Sequence, residues 1–197
     1  MSAVHGPVGL VHDARDLAQM LLAKLPQRWR HTMGVARRAE EVREIVEASV
    51  DGEILVAAAW LHDIGYADVV RESGFHPLDG GLHLQRHGWP PRIAGLVAHH
   101  SEALSIARVR GLADDLTRLP QENSMVADAL TYADQTVGPD GQLMPFEERL
   151  ADMLRRHGPH SPNAIAHPER TPLLRAAVHR IERRLSESRR SSSVAHR

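Results

Sequence analysis

The chain contains no cysteine, which excludes disulfides, thiolate-ligated zinc and thiol nucleophiles together. Lysine is nearly absent as well. Lys24 is the only one, so almost all positive charge is arginine, the side chain whose planar fork suits bidentate contacts with phosphate. Aromatic residues make up 4%, which leaves Leu, Val, Ile and Ala to fill the core. No apolar run approaches the ~20 residues of a membrane-spanning helix. The N-terminal stretch MSAVHGPVGLVHDARD lacks the basic-then-apolar pattern of a signal peptide. These absences point to a cytoplasmic protein without a membrane partner. Neither charge dominates: the formal net charge is −1, without the basic surplus of a nucleic-acid-binding surface. A Gly-rich phosphate-cradling loop is also missing.

What is present is helical. The 197 residues, 42% hydrophobic and 25% charged, suffice for one well-buried core. There is no internal repeat and no strand-like alternation. The periodicity predicts helices over about Gly9–Lys24, Gln27–Ala48 and, capped by Asp51 and stopped at Gly65, DGEILVAAAWLHDI. Two shorter helices open at Pro77 and at Pro90–Pro91, since proline fits a first helical turn. Others are expected over about Asn123–Asp134, Pro145–Arg156 and Glu169–Ser186, with GPDGQ (138–142) as a turn. The expected fold class is therefore all-α: one helical bundle over residues 1–186, then a small, polar, basic tail over 187–197 expected to be disordered.

Fourteen histidines are many, and helical geometry, about 100° per residue, says which face inward. His31 shares a stripe with Val35, Ala39, Val42 and Val46. His100 continues Ile93, Leu96 and Val97, while His99 points away from that stripe. Asp134 lies on the side of Ala127 and Leu130. The third predicted helix is apolar around its circumference until His62 and Asp63 end it. A lone inward histidine is ordinarily a hydrogen-bonded core residue, and a lone inward aspartate a cap or half an ion pair. Several together are different, because each buried polar group costs ~1–3 kcal/mol if unpartnered, and one dication satisfies four at once. The pair His12–Asp13 sits in a polar stretch and reads as surface. His83 and His87 lie opposite Leu78 and Leu82 and read as a solvated face.

The motifs RWRHTMGVA, AAAWLHDIGYA, FHPLDGG, LVAHHSEA and DALTYADQT, spanning residues 28–136, resemble those of the HD-domain superfamily of metal-dependent phosphohydrolases. Carried over position by position, the resemblance makes His31, His62, Asp63 and Asp134 ligands of one metal. Asp63 would bridge to a second ion completed by His76 and His100. It implies two divalent ions; imidazole and carboxylate without thiolate suit Fe, Mn, Co or Zn. The Gly-Tyr-Pro signature of the cyclic-di-GMP phosphodiesterase branch is missing.

The activity implied is hydrolysis of a small phosphate ester or nucleotide by metal-bound hydroxide, with Asp63 at the centre and His99 the candidate for proton transfer. Arg38, seven residues after His31 on the same face, is the candidate for binding phosphate; its ordinary alternative is a salt bridge to Glu41. Arg28, Arg30 and Ser101 are further candidate contacts. Residues 103–123 and the helices after Gly141 are expected to set specificity. Two other functions compete: a metal enzyme of non-phosphate chemistry on the same scaffold (a hydratase or a di-iron oxygenase), and a regulatory domain that keeps metal for structure alone.

Overall fold

A computed structural model describes residues 7–46 and 49–194. Among them there is no β-strand, and the only strand-type pairing is an isolated antiparallel bridge between Val137 and Leu143. The helices are α1 (Pro7–Leu22), α2 (Pro26–Val42), α3 (Ser49–Leu61), α4 (His76–Arg86), α5 (Pro91–His99), α6 (Ala103–Arg110), α7 (Ala113–Leu116), α8 (Met125–Gln135), α9 (Phe146–His157) and α10 (Pro162–Val194). Short 3₁₀ turns cover Arg43–Ile45, Ile64–Tyr66 and His100–Glu102. None of the described helices is long and apolar enough to cross a membrane.

Helix α3 is the axis of the bundle. Leu55, Val56, Ala57, Ala58, Ala59 and Leu61 are all buried, because α1, α2, α5 and α8 pack around it. Its alanines let these neighbours approach closely, which offsets the shortage of aromatic volume. Each partner offers a stripe of helical period: Leu10, Ala14, Ala18 and Leu22 from α1, and Val35, Ala39 and Val42 from α2. The pair α4–α5 and the long α10, which packs on α6, α8 and α9, complete the enclosure.

Several boundaries differ from the sequence reading, each for a local reason. Helix α2 tightens into a 3₁₀ turn at Arg43, and the end expected at Ala48 lies outside the described residues. Asp51 lies within the first turn of α3, where it pairs with Arg92. Gly65 is not a left-handed cap, since it is absent from the positive-φ glycines. It sits inside a 3₁₀ turn where any Cβ would collide with the carbonyl oxygen of His76. Glycine there lets the chain after α3 lie against the start of α4.

Helix α10 begins before Glu169. Ser161 caps it, its Oγ accepting from Ala164 N at 3.2 Å, with Pro162 at the first position. The same helix continues to Val194, so the segment from 187 expected to be disordered is helical that far. Ser186 and Ser191 bond back within the helix, Ser191 Oγ donating to Glu187 O at 3.1 Å, and no proline or glycine stands between 187 and 194. Residues 195–197 lie outside the described residues.

Candidate metal centre

Three features converge on the end of α3. His62 and Asp63 follow its last turn. His31 projects from α2, and Asp134 from the last turn of α8. The chain leaving α5 bends sharply: Ser101 and Glu102 have φ of 51° and 56°, the left-handed region rarely used by residues with a Cβ. His100 is buried at the end of α5, which stops at His99, and the bend follows it directly.

Three imidazoles are fixed by the same device. His31 Nδ1–H donates to Gly138 O at 3.0 Å, His62 Nδ1–H to Ala59 O at 2.7 Å and His100 Nδ1–H to Val97 O at 2.6 Å. A carbonyl only accepts, so each Nδ1 carries the hydrogen and, in the neutral ring, each Nε2 presents a lone pair. Gly138 reaches His31 because the turn over 138–142 lies directly on α2. Gly141, at φ +82°, has no Cβ to strike the carbonyl of Arg30.

Those lone pairs meet other acceptors. His31 Nε2 lies 3.0 Å from Asp134 Oδ1 and 3.8 Å from Asp63 Oδ2. His62 Nε2 lies 3.3 Å from Asp63 Oδ2 and 4.0 Å from Asp134 Oδ1, yet it has no hydrogen-bond partner although wholly buried. His76 Nε2 lies 3.2 Å from Asp63 Oδ1 and 3.4 Å from His100 Nε2. Donor atoms of His31, His62 and Asp63 lie within 4.8 Å of one another, and so do those of Asp63, His76 and His100. Asp63 belongs to both groups. Acceptors gathered around acceptors repel unless a cation lies among them, and nitrogen and oxygen donors without sulfur match a divalent transition metal. The residues fit such ions.

The electrostatics of Asp63, Asp134, His76 and His100 agree, and His62 is the exception. Burial alone would raise the Asp63 carboxyl, but Arg28 and His62 hold it well below the usual range. Asp134, likewise opposed by burial, is held down chiefly by its contact with His31. Burial disfavours charge on His62, yet Asp63 outweighs it and the pKa is raised. His100 goes the other way, pushed down to about 4 by burial and by His62. His76 is also lowered, by burial against the pull of Asp63. An aspartate that is already ionised and a histidine already neutral are in the protonation states that bind metal.

The centre opens into a small cavity of about 80 Å³. Its lining includes Arg28, Tyr66, Ser101, Gln135, Arg149 and Arg170. Arg28 donates to Asp63 Oδ2 at 2.7 Å and lies over the Tyr66 ring, 4.0 Å from its centroid. Tyr66 in turn stacks on His76 at 4.1 Å, its hydroxyl pushed up to about 12 chiefly by burial. Ser101 Oγ donates to Asp134 Oδ2, and Gln135 Nε2 donates to the same oxygen at 2.8 Å.

Two expected site residues are elsewhere. His99 is not with the cluster: its Nε2–H donates to Leu119 O at 3.1 Å, and its ring lines a different cavity, beside Gln121, Asn123 and Met125. Arg38 is also outside. It bonds Glu41 Oε2 at 2.6 Å and the Tyr132 hydroxyl, so the ordinary alternative of a salt bridge is the one observed. Of residues 103–123 only Ala103 and Ile106 reach the small cavity, whereas α9 and α10 wall it with Arg149, Met153, Arg156 and Arg170. Arg149 and Arg170 went unrecognised in the sequence, although the facing argument would find them. Arg149 lies among Phe146, Leu150 and Met153 on the buried face of α9, and Arg170 is spaced i±4 from the buried Ala166 and Leu174.

Comparison with known proteins gives one match: the family model described as HD domain aligns with residues 28–136, the segment from α2 to the end of α8. No curated protein and no solved structure matches the chain.

Proposed function

The chain belongs to the HD-domain family, and from that premise we propose that it is a metal-dependent phosphohydrolase acting on a small phosphate ester or nucleotide. Two divalent cations, of Fe, Mn, Co or Zn type, would be held by His31, His62, Asp63 and Asp134 and by Asp63, His76 and His100. One observation carries the proposal: Asp63 is shared by two buried His/Asp groups whose donor atoms are mutually within 4.8 Å. When bound, such cations supply Lewis acidity, activating water near neutral pH and neutralising charge on phosphoryl oxygens.

The protein's own part is preorganisation. The backbone carbonyls of Gly138, Ala59 and Val97 hold three imidazoles with Nε2 aimed at the cluster. Arg28 holds Asp63 ionised and lines the cavity, within reach of an incoming anion. The Ser101 hydroxyl is already committed to Asp134, which supports a reaction without a covalent serine intermediate. The test is a screen of chain loaded in turn with Mn²⁺, Fe²⁺, Co²⁺ and Zn²⁺ against p-nitrophenyl phosphate and a nucleotide panel. Turnover that disappears in Asp63→Ala is expected. A fully loaded protein inert across the panel, or turnover that survives Asp63→Ala, overturns the proposal.

A further inference from the structure

The chemistry of the metal cluster leaves two buried cations without a task. Arg149 on α9 and Arg170 on α10 are only 8% and 7% exposed, and both line the cavity at the cluster. Each uses its Nε–H on a backbone carbonyl: Arg149 on Val137 O at 2.8 Å, and Arg170 on Ser101 O at 2.8 Å. Among the described residues, no carboxylate oxygen comes within 4 Å of the Arg170 guanidinium. Arg149 has Asp134 Oδ1 alone, at 4.0 Å. No hydrogen bond joins the terminal amino groups of either arginine to the protein among the described residues. A buried guanidinium without a carboxylate is disfavoured. For Arg170, burial outweighs the pull of Asp134, with Arg149 nearby adding to it, and brings the guanidinium down to about 10.

Both residues stand on helical stripes that are otherwise apolar, where leucine or methionine would pack without that penalty. Both also lie beyond the segment matched by the family model. The cavity they wall, at about 80 Å³, is well below the ~300 Å³ at which pockets begin to enclose a drug-sized ligand. It has room for a compact anion and none for a nucleoside or a second organic substituent.

We infer that Arg149 and Arg170 form an oxyanion-binding wall that takes the non-bridging oxygens of a terminal phosphoryl group placed against Asp63. The substrates are accordingly phosphomonoesters, or chains ending in phosphate, whose organic part stays in the mouth of the cavity; internal diesters are excluded. The identification of the anion as a substrate phosphate rests on the phosphohydrolase reading, whereas the wall itself rests on the arginines. Guanidinium forks are matched to this task because two parallel N–H groups meet two phosphoryl oxygens.

The experiment is calorimetric titration of the full chain, Mn²⁺-loaded and metal-free, with inorganic phosphate. It compares wild type with Arg149→Met, Arg170→Met and Arg170→Lys. In each Met variant the phosphate Kd is expected to rise about tenfold or more, the loss of a charge-assisted contact, with partial recovery in Arg170→Lys and unchanged manganese content. Phosphate affinity unchanged in both Met variants, or no phosphate binding by wild type, overturns the wall. Should one Met variant fail to fold, the other and Arg170→Lys decide. Phenyl phosphate should displace bound phosphate and diphenyl phosphate should not; equal displacement overturns the substrate class. Arginine-dependent phosphate binding in a protein that hydrolyses no ester sinks the phosphohydrolase reading and leaves the wall standing. Hydrolysis with affinities unmoved in the variants does the reverse.

Discussion

His76 and His100 face each other with Nε2 atoms 3.4 Å apart, and the His100 ring is held in that pose by its Nδ1–H on the carbonyl of Val97. Nε2 of neutral His100 can only accept, so the close approach calls for a positive charge between the rings or a proton on His76. Asp63 Oδ1, 3.2 Å from His76, is the third corner. Removing one corner should therefore remove one ion. We expect wild type to bind two equivalents of Mn²⁺ and His100→Ala about one, measured by elemental analysis after desalting. His99→Ala should keep the wild-type metal content, since its ring is bonded to Leu119 instead.

Metal should also stabilise the fold. A ligand that binds only the native state adds about 2.7 kcal/mol at a hundredfold excess over its Kd. Calorimetric melting is expected to show a rise on adding Mn²⁺ and a fall with chelator. The shift should shrink in Asp63→Asn, which keeps the shape of the side chain and loses its charge. An unchanged shift in that variant would remove Asp63 from the centre.

The metal-free protein should lose stability on both sides of the ordinary histidine range. His100, depressed to about 4 in the folded state, is neutral there while the unfolded chain binds a proton. Its contribution is complete above about 6.5 and lost as pH falls from 6.5 toward 4. His76 acts in the same direction. His62 has the opposite sign: its raised pKa stabilises below 6.5, and that contribution fades as pH rises through the folded value. Denaturant melts across pH should thus peak near the unperturbed histidine pKa when metal is absent. With metal bound the peak should move up, because protons and metal compete for Nε2.

Gly65→Ala should be severe. The added methyl would strike the His76 carbonyl, and the backbone of α4 has to move to admit it. We expect a loss of about 3 kcal/mol or more, the size that marks backbone collision and core disruption, together with loss of the ion that depends on His76. Arg38→Met gives the contrast. The ion pair of Arg38 with Glu41 is exposed, so urea melts should shift by less than about 1 kcal/mol.

Much of this arrangement was legible from residue order. The inward positions of His31 and Asp134 followed from helical period, because α2 and α8 are regular where those residues stand. His62 and Asp63 were marked by contrast with the wholly apolar α3. What escaped was set by tertiary contacts that have no local period. The bend at Ser101 and Glu102 is one, since neither residue announces a left-handed conformation. The role of Gly65 is another; a glycine after a helix suggests a cap, and only the packed structure shows the carbonyl that occupies its missing side chain. Arg149 and Arg170 escaped for a different reason. The facing argument reached Arg38 through His31, whereas Arg149 and Arg170 stand on α9 and α10, where no candidate ligand draws attention to the buried face.

The peptide at Ser101 joins two parts of the molecule, the segment matched by the family model and a helix beyond it. Its hydroxyl holds Asp134, inside the family scaffold, and its carbonyl holds Arg170, on a helix beyond it. A shift of this one residue therefore moves a charge on each side of the reacting space by the same stroke. Retuning such a protein toward a new anion cannot proceed by editing α10 alone, because an adjustment at Arg170 is transmitted through the left-handed linkage at Ser101 to a group that would hold the ions.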